Sequence, residues 1–394
     1  MPPLPSIPPP TPPDAGDPAA ARAWSAALAT GLPRRGSGRV AGYRRLAATP
    51  LPPSLRPAAW SALLAAPPPG APPPLGTKAS PDGGGGDGGG SGGGGEGTPA
   101  LGGAEKRTYA QLAAAGAASL DADCLHTVEA DVRRAVPGAA GYVAVRVGTS
   151  AAGAAGGPDA PAAVGPPPTP LTEASLRRVL HAYAGHAPAV GYCQGMGDMA
   201  AVVLSQAPSE AAAARMFRTL MDGYGFSELF APGFPALSRW MDDLATAIRS
   251  GAGGSALLDS LDAVGVPIAM VADKWLLSGL TYTWPPPVVL RVWDVVLLRG
   301  TPKPVARAAA AALLLSAPRL AGRPFEEAAG YLQRGIVVRE AGGVVTPDPP
   351  AVAALLKTAG GLKWKRTSPP GRKAKGRGGC LACAGGQRGV GEAP

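Results

Sequence analysis

Residues 171–204 read LTEASLRRVLHAYAGHAPAVGYCQGMGDMAAVVL, and this stretch decides the fold. Leu176, Val179, Leu180 and Tyr183 recur at i, i+3, i+4 and i+7 and line one face of a helix, while Arg177 and Arg178 fall on the other side. Thr172 stands where such a helix takes its N-cap. Further amphipathic segments follow at residues 211–221, 235–248, 256–264, 272–280, 288–298 and 305–315, and nothing alternates convincingly with period two. The expectation is an all-α core.

Upstream, LPPSLRPAAWSALL places Arg56, Trp60, Leu63 and Leu64 at helical intervals behind a proline-rich entry, which marks the first real helix. Between it and the decisive stretch lie two spacers. Residues 65–105 contain GGGGDGGGSGGGGEG, whose missing side chains offer nothing to set against the entropy of ordering, and residues 148–170 are rich in Ala and Pro. Both are expected to loop out of one helical domain spanning 47–345. Residues 1–46 read as a largely disordered Pro/Ala/Arg-rich arm with one short helix around Ala20 to Leu28, and 346–394 as a basic, disordered tail.

Bulk composition agrees with one domain and loose attachments, since 57 glycines and 47 prolines among 394 residues leave much of the chain outside packed elements. The longest apolar run free of Gly and Pro, Ala308 to Leu315, falls far short of the roughly 20 residues that span a bilayer. The N-terminus, Pro-rich with early aspartates, fits neither a secretory signal nor a transit peptide, and four scattered cysteines make no disulfide framework. A cytoplasmic address is expected, with peripheral attachment to endomembranes as a variant of it.

The net charge of +10 is concentrated in seven cations between Lys363 and Arg377, ahead of Cys380 and Cys383. Three readings of this tail stand side by side. One is a membrane-surface contact in which the two cysteines are acylated; another is a solvated or nuclear-import-like run; the last is nucleic-acid binding, for which Trp364 is the lone interleaved aromatic. Elsewhere, a G-x-S-x-G match at residues 89–93 sits inside the polyglycine tract without a strand or helix beside it and carries no chemistry. No phosphate loop or metal-ligand spacing is present in the sequence, His181 and His186 read as structural, and Cys193 as a small packing residue.

The remaining short motifs resemble the TBC, or Rab GTPase-activating, domain family. Arg56 and Trp60 match an opening Arg-x-x-x-Trp; Val128, Asp131 and Arg134 match Ile-x-x-Asp-x-x-Arg with Val for Ile; Tyr192, Gln194, Gly195 and Met196 match Tyr-x-Gln-Gly-Met intact. Trp275 and the set Arg291, Trp293 and Asp294 match the later Trp segment and Arg-x-Trp-Asp helix. Gly197 departs from the family, which usually has a polar residue there, and spacing from Asp131 favours Arg134 over Arg133.

The resemblance implies a two-lobed, all-α domain that accelerates GTP hydrolysis by a GTP-bound Rab-type small GTPase in vesicle trafficking. It implies no cofactor of the chain's own, GTP and Mg²⁺ coming with the partner. Arg134 and Gln194 would be the catalytic fingers. A guanidinium is always charged and suits the loose, anionic transition state of phosphoryl transfer, while a carboxamide both donates and accepts and so orients the attacking water. Asp131 would orient Arg134, Tyr192 and Met196 would support the glutamine, and Gly195 would let backbone approach the partner. Trp60, Trp275 and Trp293 are expected to be core anchors. The alternative is a non-catalytic TBC-fold adaptor that binds a small GTPase or another trafficking protein.

Overall fold

The computed structural model describes residues 18–32, 46–65, 67, 107–147, 170–333, 339–341, 344–346 and 349–362. Apart from residues 65, 67 and 170 the two spacers lie outside these, as do the basic run, Trp364, Cys380 and Cys383.

The first helix, α1 (Pro18–Thr30), carries a fully buried Trp24 whose Nε1 donates to the Thr49 carbonyl at 3.3 Å. The short helix expected around Ala20 to Leu28 is therefore present, a little longer, and packed: alanines cost little to hold helical, and one indole is anchor enough. After a 3₁₀ turn at Pro53–Leu55 comes α2 (Arg56–Leu63). Helix α3 (Tyr109–Ser119) starts at a Thr108/Gln111 capping box, and α4 (Ala122–Gly138) at Asp121, whose carboxylate accepts the Cys124 N–H at 2.7 Å. A short α5 (Ala140–Val147) follows.

Helix α6 (Glu173–His186) bears out the reading of the decisive stretch. Thr172 caps it, and Leu176, Val179, Leu180 and Tyr183 are all buried. It packs against α3 through a pair of glycines: a Cβ on Gly116 would stand 1.8 Å from the His181 carbonyl oxygen, and one on Gly185 2.2 Å from that of Leu112. Next comes α7 (Met196–Gln206), in which every residue but Asp198 is buried. A helix apolar all round belongs at the centre of a bundle, and α4, α6 and α8 (Glu210–Arg218) surround this one.

Beyond a π turn at Thr219–Gly223 the chain forms α9 (Pro235–Arg249), α10 (Gly254–Ala263), α11 (Ala269–Leu277), α12 (Pro286–Arg299) and α13 (Lys303–Leu320). The expected segments are all helical, with ends moved by a few residues. That at 272–280 stops early because Gly279 and Leu280 both take positive φ, +61° and +74°. Helix α14 (Phe325–Gln333), a small antiparallel hairpin of β1 (Arg339–Ala341) and β2 (Val344–Thr346), and α15 (Pro349–Gly361) complete the described chain. The hairpin and α15 were not expected. Helix α15 packs along α13 with Leu355 buried, so the tail read as disordered from 346 begins with a docked helix. No helix among the described residues is long and apolar enough to cross a membrane.

The buried side chains form one continuous cluster. Inside it, Asp294 on α12 accepts from Arg56 Nε and Nη2 at 3.1 and 3.3 Å and from Trp60 Nε1 at 2.9 Å, while the Trp60 and Trp293 rings stack 5.8 Å apart. Arg56 also donates to the Leu51 carbonyl at 3.0 Å and Arg291 to that of Ala47 at 2.8 Å. Two of the sequence motifs thus prove to be partners across 238 residues of chain. Removing one member of a buried ion pair strands the other charge, which typically costs 3–5 kcal/mol. Asp294→Leu is accordingly expected to lose about 3–5 kcal/mol in urea unfolding, and the double variant Arg56→Met with Asp294→Leu to lose less than the single one.

Candidate functional site

Helix α4 presents Val128, Val132 and Ala135 to the core, and Asp131 shares that buried side. Three residues on, Arg134 reaches the rim, where 51% of its side chain is exposed. Its Nη2 pairs with Asp131 Oδ1. The other carboxylate oxygen, Oδ2, accepts the Tyr192 hydroxyl at 2.5 Å. Tyr192 comes from the turn that joins α6 to α7, and two residues later Gln194 stands exposed at that turn's surface. A relay from half-exposed Arg134 to buried Asp131 and Tyr192 therefore ties the arginine on one helix to the turn that carries the glutamine.

The turn has this shape for local reasons. Gly195 takes φ +101° as the residue before α7, and a Cβ there would lie 2.9 Å from the Leu277 carbonyl oxygen. Its smallness lets the chain's own α11 approach. Met196 is fully buried and pins the start of α7. Gly197, the departure from the family pattern, also has an internal cause. A Cβ there would meet the Tyr192 hydroxyl at 3.1 Å and the Asp131 Cβ at 3.3 Å, so a side chain would crowd the relay.

Burial and then the neighbouring Asp198 charge raise the Tyr192 pKa, so the phenol remains a proton donor to Asp131. Asp198 itself was not singled out from the sequence. It lies in the first turn of α7, its pKa pushed up to about 6 by burial and opposed by the charge of Arg134. A lone acid inside the apolar run MGDMAAVVL, four residues after Gln194, was the signal available.

The other motif residues lie elsewhere. Trp60, Trp275 and Trp293 are core anchors as expected; Trp275 meets Trp284 edge to face at 5.6 Å, and Trp293 Nε1 donates to the Gly279 carbonyl at 2.8 Å. Arg56, Arg291 and Asp294 build the buried joint beneath α2. His186 lies 2.9 Å from Asp222, which also accepts the Tyr183 hydroxyl at 3.0 Å, an arrangement that closes α6 on the π turn. Cys193 is buried.

The raised Asp198 pKa has a definite sign. Between the usual carboxylate value of 3.8 and about 6 the unfolded chain loses its proton before the folded one does, so stability falls as pH rises through this window and stays lower above it. Asp198→Asn is expected to gain about 2–3 kcal/mol at pH 8 and close to nothing at pH 3.5. Chemical denaturation at the two pH values measures the difference.

Comparison with known proteins adds independent findings. Residues 168–321 match the model of the Rab-GTPase-TBC domain. The chain is 34% identical over 126 residues to the GTPase-activating protein GYP5 of Saccharomyces cerevisiae, and 31% identical over 125 residues to the Rab GTPase-activating protein eat-17 of Caenorhabditis elegans. Each match covers 32% of this chain and 14% of the relative, so the chain spans a small part of their length. Among solved structures, the Chlamydomonas flagellar RabGAP TBC domain superposes with TM-score 0.53 at 16% identity, covering 88% of this chain and 92% of that one. The Ypt/Rab-GAP domain of Gyp1p gives 0.54 at 17%, covering 86% and 97%. Arg56, Asp131 and Arg134 precede the matched segment, but the Asp294 and Tyr192 contacts join them to it. The family match over residues 168–321, the sequence relatives and the shared fold point the same way, to a Rab-GTPase-TBC domain as what this part of the chain is similar to.

Proposed function

We propose that the chain is a GTPase-activating protein that accelerates GTP hydrolysis by a GTP-bound Rab-type small GTPase. The observation that carries this reading is the exposed pair Arg134 and Gln194, held through Asp131 and Tyr192 in a domain similar to the Rab-GTPase-TBC family. Relatives named as GTPase-activating proteins support it.

In this reading the nucleotide and Mg²⁺ are the partner's, and the chain needs no cofactor of its own. Hydrolysis passes through a loose transition state with charge spread over the phosphoryl oxygens, so catalysis rests on positioning and charge neutralisation. Arg134 supplies a permanent charge on a half-exposed side chain. Its pairing with Asp131 holds the guanidinium at the rim, and Tyr192 keeps the carboxylate from turning away. Gln194 uses the carbonyl of its amide to hold water and its NH₂ to donate, which a glutamate would not do. Preorganised side chains lose little freedom when the partner docks. An organelle-surface address follows from a Rab-type partner, and an endomembrane periphery is the proposed location.

Single-turnover hydrolysis by a panel of Rab-type GTPases tests the assignment. Arg134→Ala is expected to lower the stimulated rate by about 10³ to 10⁵, the range for an arginine finger, and Gln194→Ala to remove most of it as well. Arg133→Ala should leave it within a few fold. Binding to a GTPase without any acceleration by the unaltered chain would instead establish the adaptor. Tyr192→Phe removes one hydrogen bond to a charged group and is expected to cost about tenfold in rate while GTPase binding stays nearly unchanged.

A further inference from the structure

A cavity of about 790 Å³ opens on another part of the domain, bounded by residues 47–56, α5, α12, α13 and α15. None of Asp131, Arg134, Tyr192 and Gln194 lines it. Its walls are largely apolar, among them Leu51, Val145, Val292, Val295, Val352 and Leu356. Set into those walls are five cations, Arg56, Arg291, Arg299, Arg307 and Lys357, and no acidic residue lines the cavity among the described residues. Asp294 lies behind it, already bound by Arg56 and Trp60.

The guanidiniums are incompletely paired. Arg56 and Arg291 are more than nine-tenths buried, and on each the Nη1 atom is buried without a hydrogen-bond partner. Arg299 Nε is in the same condition. Arg299 and Arg307 have no acidic partner among the described residues. Burial lowers the Arg291 pKa, and burial with the nearby Arg299 charge lowers that of Arg307, so the cluster gathers like charge in a poorly solvated place. Buried donors of this kind are normally satisfied, and an always-charged fork of N–H groups is suited to carboxylate and phosphate oxygens.

We propose that this cavity binds a single-chain amphiphile with an anionic head, the head on the Arg291, Arg299 and Arg307 guanidiniums and the chain along the apolar walls. A free inorganic anion would meet the arginines and leave the apolar wall uncovered. A neutral amphiphile would cover the wall and leave the donors without an anion, and a zwitterion would bring its own cation into a cluster of five. The volume lies within the roughly 300–1,000 Å³ of small-molecule sites, which combine apolar lining with a few placed polar groups. Helix α15 acquires a role in this picture, since Val352, Leu356 and Lys357 close one side of the cavity.

Isothermal titration of the full chain, with each lipid below its micelle concentration, tests the proposal. The probes are palmitoyl lysophosphatidic acid, palmitate, palmitoyl lysophosphatidylcholine and inorganic phosphate. The expected result is saturable one-to-one binding of at least one of the two anionic lipids, at least tenfold tighter than the zwitterion and than phosphate. The preferred anionic lipid then identifies the head as phosphate or carboxylate. Arg299→Gln combined with Arg307→Gln should weaken that binding at least tenfold without lowering the melting temperature. Leu356→Trp, which fills the apolar end, should weaken it independently. Three results would each overturn the proposal: no saturable binding, equal binding of zwitterion or phosphate, or binding undiminished in both variants. The last would assign the lipid to the basic tail, which both variants retain.

Discussion

The buried contact of Arg56 and Trp60 with Asp294 is the constraint on which the domain depends. It brings the first helix after the N-terminal arm onto α12, hundreds of residues later in the chain. A charge pair out of water returns little net stability, because desolvation consumes most of the attraction. Its effect is on register: the carboxylate has three donors converging on it, and any slip of α2 along α12 would leave buried charge unpaired. The Trp60 and Trp293 stack and the Phe226 ring 6.2 Å from Trp293 then have one arrangement that fills the space.

With that frame closed, α7 becomes the axis of the domain and stability comes from apolar burial around it. The same burial makes Asp198 costly as a charge and Gly197 necessary as a small residue. Both lie beside the relay from Arg134 through Asp131 to Tyr192, so the proposed fingers draw their positions from the core even though their own tips stand in water. The arrangement separates rigidity from reactivity. The carboxylate that aims the arginine is buried, and the guanidinium it aims is exposed.

Much of this was legible in the chain. Helices with a full-length apolar stripe, such as α6 and α9 to α13, declare themselves because burial on one face imposes a 3.6-residue period. Helix α3 was missed because YAQLAAAGAAS has almost no polar contrast between faces, and its packing is decided by Gly116, where the absence of a side chain is the feature that matters. Helix α15 was overlooked for a different reason. Val352, Leu355, Leu356 and Ala359 do show the helical period, but a short stripe next to a basic run reads as tail. The hairpin after α14 is three residues a side, too short for an alternating pattern to stand out.

For the site, the sequence alone singled out the residues proposed to carry chemistry. An arginine at a fixed offset from an aspartate, and a glutamine between Tyr and Gly, are patterns of residue type and spacing that need no coordinates to see. It also determined the helical class, since periodicity is a local property of the chain. Tertiary structure decided which motifs are each other's partners: Arg56 with Asp294, and Arg134 through Asp131 with Tyr192. It decided that Gly195 and Gly197 serve internal approaches, and that Arg291, Arg299 and Arg307 meet at one cavity. The physical reason is the same in each case. Desolvation and pairing depend on which groups are brought together in space, and separation along the chain carries no record of that.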